Sequence, residues 1–121
     1  NRLFPGVPIH VQARELADAR SLDGYTIRDW VDFDGATYVE HDGEVELLPG
    51  IRLLPAPGHS DGHQAVVVET EAGTNVIGGD VGIWFGELES GETEGQRRVL
   101  AFEAPTWLAH APGPKVPERR P

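Results

Sequence analysis

Across residues 37–80, five short aliphatic and β-branched runs, TYVEHD, EVELL, IRLLPAP, QAVVVET and TNVIGGD, alternate with Gly, Pro, Asp and Asn. Strands punctuated by turns read this way. Pro49-Gly50 separates EVELL from IRLLPAP, and residues 71–74 (EAGT) separate QAVVVET from TNVIGGD, so both pairs are expected as antiparallel hairpins. A sheet should therefore make up most of the fold.

The flanks read differently. In 11–22 (VQARELADARSL), Val11, Leu16, Ala19 and Leu22 fall on one stripe opposite the charges, which predicts an amphipathic helix. Residues 23–35 are rich in turn formers and acids, suiting a surface loop that packs Tyr25, Trp30 and Phe33 inward. After Asp80 a loop is expected to expose Trp84 and Phe85, followed by a helix over 94–102 and a short strand over 106–109. Residues 111–121, with four of the ten prolines, read as a flexible tail. Helices layered on a sheet make this an α/β domain, but two helices leave one sheet face uncovered. The apolar texture of QAVVVE and NVIGG argues that something covers it.

Composition narrows the function classes. A chain of 121 residues fits one domain. Twenty acidic against ten basic side chains give a net charge of −10, which opposes binding to nucleic acid or anionic membrane. There is no cysteine, so a transition metal would need His, Asp or Glu ligands. No membrane-length apolar run or signal peptide is evident, and a cytoplasmic protein is expected. The chain has no methionine and starts at Asn1, which reads as the interior of something longer.

The run PAPGHSDGHQ holds two of the five histidines, His59 and His63. His59 follows a strand, where a side chain reaches a cleft at the sheet edge. His63 is four residues on, but Gly58 and Gly62 disfavour a helix that would put both rings on one face, and no His-Glu-x-x-His base is present. It is better read as a brace for a neighbouring ligand. Asp80 ends NVIGGD and His110 ends TWLAH. Together with His59 these form a two-histidine, one-carboxylate set suited to zinc, manganese or iron, or else three ordinary strand-end residues. Ser60 lies beside both histidines without a nucleophile-elbow pattern, so a serine triad is not indicated.

Residues 3–110 resemble the second half of a metallo-β-lactamase-superfamily hydrolase, most closely its acyl homoserine lactonase-like branch. The resemblance is carried by LFPGVPIHVQARELADA, by EVELLPGIRLLPAPGHSDGHQAVVVETEAGTNVIGGDV and by TWLAH. It implies half of an αββα sandwich, with a mixed, largely antiparallel sheet and helices on one face, spanning 1–110 as a C-terminal half-domain before the 111–121 tail. It further implies that His59 ligates a first metal, that Asp80 bridges two metals and handles a proton in catalysis, and that His110 ligates the second. His63 is then a support rather than a ligand. In the complete domain two zinc ions would polarise the carbonyl of an ester, lactone or similar small-molecule substrate, and a metal-bound hydroxide would attack it.

Two departures from the family pattern stand out. No His-x-His pair occurs, so the His-x-His-x-Asp-His motif that supplies the remaining ligands is absent. Ile83 stands where the lactonase branch often has a tyrosine, and Ile83, Trp84 and Phe85 would line a substrate pocket or pack on the missing half. Three expectations follow. The chain is part of a hydrolase and pairs with an N-terminal half; or it homodimerises and holds at most one weak zinc; or it is an inactive interaction or structural module. Alone it is expected to be nearly inactive.

Overall fold

A computed structural model describes residues 3–83 and 85–102, and the backbone of 107–109; for Phe85 too only the backbone is described. A strand β1 (Ile9–Gln12) leads directly into helix α1 (Ala13–Ser21), and a short helix α2 (Arg28–Val31) precedes β2 (Tyr38–His41). Strands β3 (Val45–Leu48), β4 (Ile51–Pro55), β5 (Gln64–Thr70) and β6 (Gly73–Ile77) follow. A 3-10 turn (Gly79–Val81), helices α3 (Phe85–Ser90) and α4 (Glu94–Leu100), and strand β7 (Trp107–Ala109) come next among the described residues.

The main sheet has the order β3-β4-β5-β6-β7. Its first four strands form an antiparallel meander, with both expected hairpins in place, and β7 adds parallel to β6. The fold is thus mixed α/β with a largely antiparallel sheet.

Register decides which side chains share a face. Leu54 pairs with Ala65, and Val67 with Val76, so these point to one side. There Ala56, Ala65 and Val76 pack with Val81, Leu88 of α3 and Val99 of α4, and Phe102 closes the edge. Fully burying a side chain such as Val76 or Val99 contributes about 1.5–3 kcal/mol. Leu53, Val66 and Ile77 align across the opposite face, where Ile77 is exposed.

Helix α4 begins with a reciprocal cap. The Gln96 amide donates to Thr93 Oγ1 at 3.1 Å, and the Thr93 amide donates to Gln96 Oε1 at 3.0 Å. Two otherwise orphaned donors are satisfied, which allows the Gln96 side chain to be buried.

Four expectations are corrected. Val11 belongs to β1, which pairs parallel with β2 in a separate two-stranded sheet, so the helix starts later than 11–22 suggested and TYVEHD lies outside the main sheet. Long-range pairing overrides the helical stripe there, and Leu22 is left exposed while Leu16 and Ala19 are buried. Within 23–35, Phe33 is buried and Tyr25 half-buried, but Trp30 is 66% exposed. Finally, the segment after Asp80 is not all loop, because Phe85 opens α3. Residues 111–121 and Trp84 lie outside the described residues.

Candidate metal centre

The loop 56–63 is held from three sides. Its ends come together where the Ala56 amide donates to the His63 carbonyl at 2.8 Å, just beyond the pairing of Pro55 with Gln64. From above, the Gly95 amide at the start of α4 donates to the Pro57 carbonyl at 2.7 Å. On the third side stands α1: a Cβ on Gly62 would overlap the backbone nitrogen of Glu15, so only glycine permits this approach. Ser60 Oγ donates to Glu15 Oε2 at 2.6 Å, and Arg14 pairs with Asp61 at 2.8 Å.

Asp80 reaches the same place from β6. Gly79 adopts φ +56°, a left-handed conformation that suits glycine, and buried Val81 anchors the far side of the turn. Between them Asp80 takes φ −92°, ψ 25°, in the sparsely populated bridge region. His59 Nε2 thereby comes within 3.9 Å of Asp80 Oδ2, with the side chains 53% and 48% exposed. That is too long for a hydrogen bond.

His63 lies behind this pair. Its Nδ1 donates to the Ala56 carbonyl at 3.1 Å, its ring meets that of His59 edge-on at 6.1 Å, and a Cβ on Gly79 would sit 3.2 Å from its Nε2. Burial, followed by the nearby His59, pushes its pKa below the ordinary histidine value; the Ala56 hydrogen bond and the Asp80 and Glu15 charges act in the opposite direction.

No protein-family model matches the chain. Over 71 residues it is 35% identical to an N-acyl homoserine lactonase of Bacillus cereus, covering 59% of this chain and 28% of that protein. It is also 35% identical over 77 residues to the N-acyl homoserine lactonase AiiA of Bacillus thuringiensis subsp. kurstaki, covering 64% and 30%. A crystal structure of a quorum-quenching N-acyl homoserine lactone lactonase superposes with a TM-score of 0.59 at 33% identity, covering 66% of this chain and 33% of that one. Over the matched region the chain is similar to the N-acyl homoserine lactonases. It spans about 30% of the length of these curated relatives. A further similar structure, an N-acyl homoserine lactone hydrolase (TM-score 0.56, 35% identity, covering 64% and 30%), holds the product N-hexanoyl-L-homoserine at its catalytic metal centre.

Against the lactonase pattern, the chain's own donors fit a metal in part. Tetrahedral ligand bonds of about 2.0–2.2 Å place a nitrogen and an oxygen on one ion about 3.3–3.5 Å apart, and the 3.9 Å between His59 and Asp80 lies just beyond that span. Among the described residues, no group of three or more His, Asp or Glu is gathered for an ion. His110 and Trp84 lie outside the described residues, and Ile83 is 63% exposed. An open groove of about 420 Å³ lies elsewhere, lined by Glu44, Leu54, Arg98, Ala101 and Phe102. No helix among the described residues is long and apolar enough to cross a membrane.

Sequence reading passed over two features. Glu15 accepts hydroxyl hydrogen bonds from both Ser60 and Tyr25, the latter at 3.0 Å. His10 Nδ1 and His41 Nε2 are 2.8 Å apart across β1 and β2, with rings nearly parallel. Neither has a local motif, since each joins residues distant in the chain.

Proposed function

We propose that this chain is part of a metal-dependent hydrolase acting on a lactone or similar ester, with His59 and Asp80 among the metal ligands. The observation that carries the reading is their convergence at 3.9 Å, at the ends of segments that are far apart in sequence, in a chain similar to the lactonases over the matched region. Zinc, when bound, would supply Lewis-acid polarisation of the carbonyl and a more acidic water.

The chain's own residues take the following parts. His59 presents Nε2 from the loop after β4, and Asp80 presents Oδ2 from the turn after β6 and exchanges a proton with the reacting water. His63, with Nδ1–H committed to Ala56, supports His59 from behind. His110 is the proposed third ligand; β7 runs parallel to β6 with Ala109 opposite Ile77, so both strands exit at the same edge. Ile83, Trp84 and Phe85 are the proposed wall of a substrate pocket. Residues 1–110 act as a half-domain that pairs with a segment carrying His-x-His-x-Asp-His, or with a second copy, over the part of the sheet face that bears half-buried Val66 and exposed Ile77.

Metal analysis after equilibrium dialysis against zinc, which also captures weak binding, tests the reading. Zinc retained by the wild-type chain and lost from both His59→Ala and Asp80→Asn would support it. Equal zinc in all three would overturn it.

A further inference from the structure

We infer that Glu15, at the start of α1, is a positioning residue for His59, acting through Ser60. The inference rests on the reading of His59 and Asp80 as metal ligands and adds a residue outside that set. His59 is more than half exposed, so packing does little to fix its ring. What is fixed is the backbone next to it. The Ser60 carbonyl accepts the amides of Gly58 at 3.0 Å and His63 at 3.3 Å, closing the turn around His59. The Ser60 hydroxyl donates to Glu15 Oε2 at 2.6 Å, and the same oxygen accepts the Tyr25 hydroxyl at 3.0 Å.

A carboxylate oxygen accepting two hydroxyls is a short, directional anchor, stronger than bonds between neutral groups. The contact of Gly62 with the Glu15 backbone blocks sliding of the loop along α1. Arg14–Asp61, by contrast, is an exposed pair that adds little. Glu15 therefore sets the hub from which His59 faces Asp80, and Tyr25 orients the carboxylate.

The test titrates Co(II) alone into the full chain and follows its visible spectrum, using wild type, Glu15→Ala, Glu15→Gln, Ser60→Ala and His59→Ala. Positions that orient ligands from behind typically change metal affinity 10- to 100-fold. Glu15→Ala and Ser60→Ala should weaken Co(II) binding by about tenfold or more, while Glu15→Gln, which keeps an acceptor oxygen, should restore most of it. Unchanged affinity in Glu15→Ala, with binding lost in His59→Ala, would overturn the positioning role and leave the metal reading intact. Should wild type bind no more Co(II) than His59→Ala, the metal reading fails, and backbone amide NMR of the metal-free chain decides the positioning role. There, Glu15→Ala should raise fast motion at His59 and Ser60 and Glu15→Gln should not; identical relaxation in both variants and wild type would overturn it.

Discussion

His59 Nε2 and Asp80 Oδ2 face each other at 3.9 Å from two different loops, both on the same edge of the sheet. Neither side chain is packed into the core, and they share no hydrogen bond. Their proximity therefore adds little to folding stability and is available for an ion.

Replacing either should separate binding from stability. His59→Ala and Asp80→Asn are expected to weaken zinc binding at least about tenfold while shifting unfolding free energy by no more than about 0.5 kcal/mol. Calorimetric zinc titration and urea melts of the same samples check both halves of the expectation.

Gly62→Ala should do the reverse. Its added methyl overlaps the Glu15 backbone, which cannot swing aside as a side chain can. A loss of about 2 kcal/mol or more is expected from such overpacking. A urea midpoint equal to wild type would show that α1 does not press on the loop.

Thr93→Ala removes the cap of α4 and one partner of the buried Gln96. A cost of about 1–2 kcal/mol is expected. Thr93→Ser, which keeps the hydroxyl, should recover most of it in thermal unfolding.

His63 gives the metal-free chain a pH dependence. Its folded-state pKa is lowered, chiefly by burial, so the unfolded chain takes up the proton first. Stability is full above the ordinary histidine value near 6.5 and declines as pH falls from there toward the lowered folded value. His63→Asn should flatten this decline. Denaturant midpoints measured between pH 7.5 and 5 in wild type and variant would show whether His63 is the group.

The unaided 121-residue chain should show little or no lactone hydrolysis with zinc, because two gathered donors hold an ion weakly. Robust zinc-dependent opening of an N-acyl homoserine lactone by this chain alone would contradict that.

The two hairpins were readable from sequence because Pro49-Gly50 and the turn before Thr74 act over a few residues, and alternation fixes the faces of β4, β5 and β6. The helix expected over 94–102, which the fold ends at Leu100, was readable for the same reason, since Thr93 and Gln96 cap its start locally. Val11 misled because a helical stripe and a short strand share its spacing, and only β2 decides between them. Trp30 misled because an aromatic on the short helix α2 is buried only if a partner surface reaches it, and none does among the described residues.

By itself, then, the sequence determined the strand runs, the turns between them and the positions of His59 and Asp80 at the ends of those runs. These depend on residue type and near neighbours. Tertiary structure alone decided that β1 pairs with β2 apart from the main sheet, that α1 locks onto Gly62 and Ser60, and that His59 and Asp80 meet at one edge. Those outcomes follow from register and from close backbone approach between segments far apart in the chain, which no local pattern encodes.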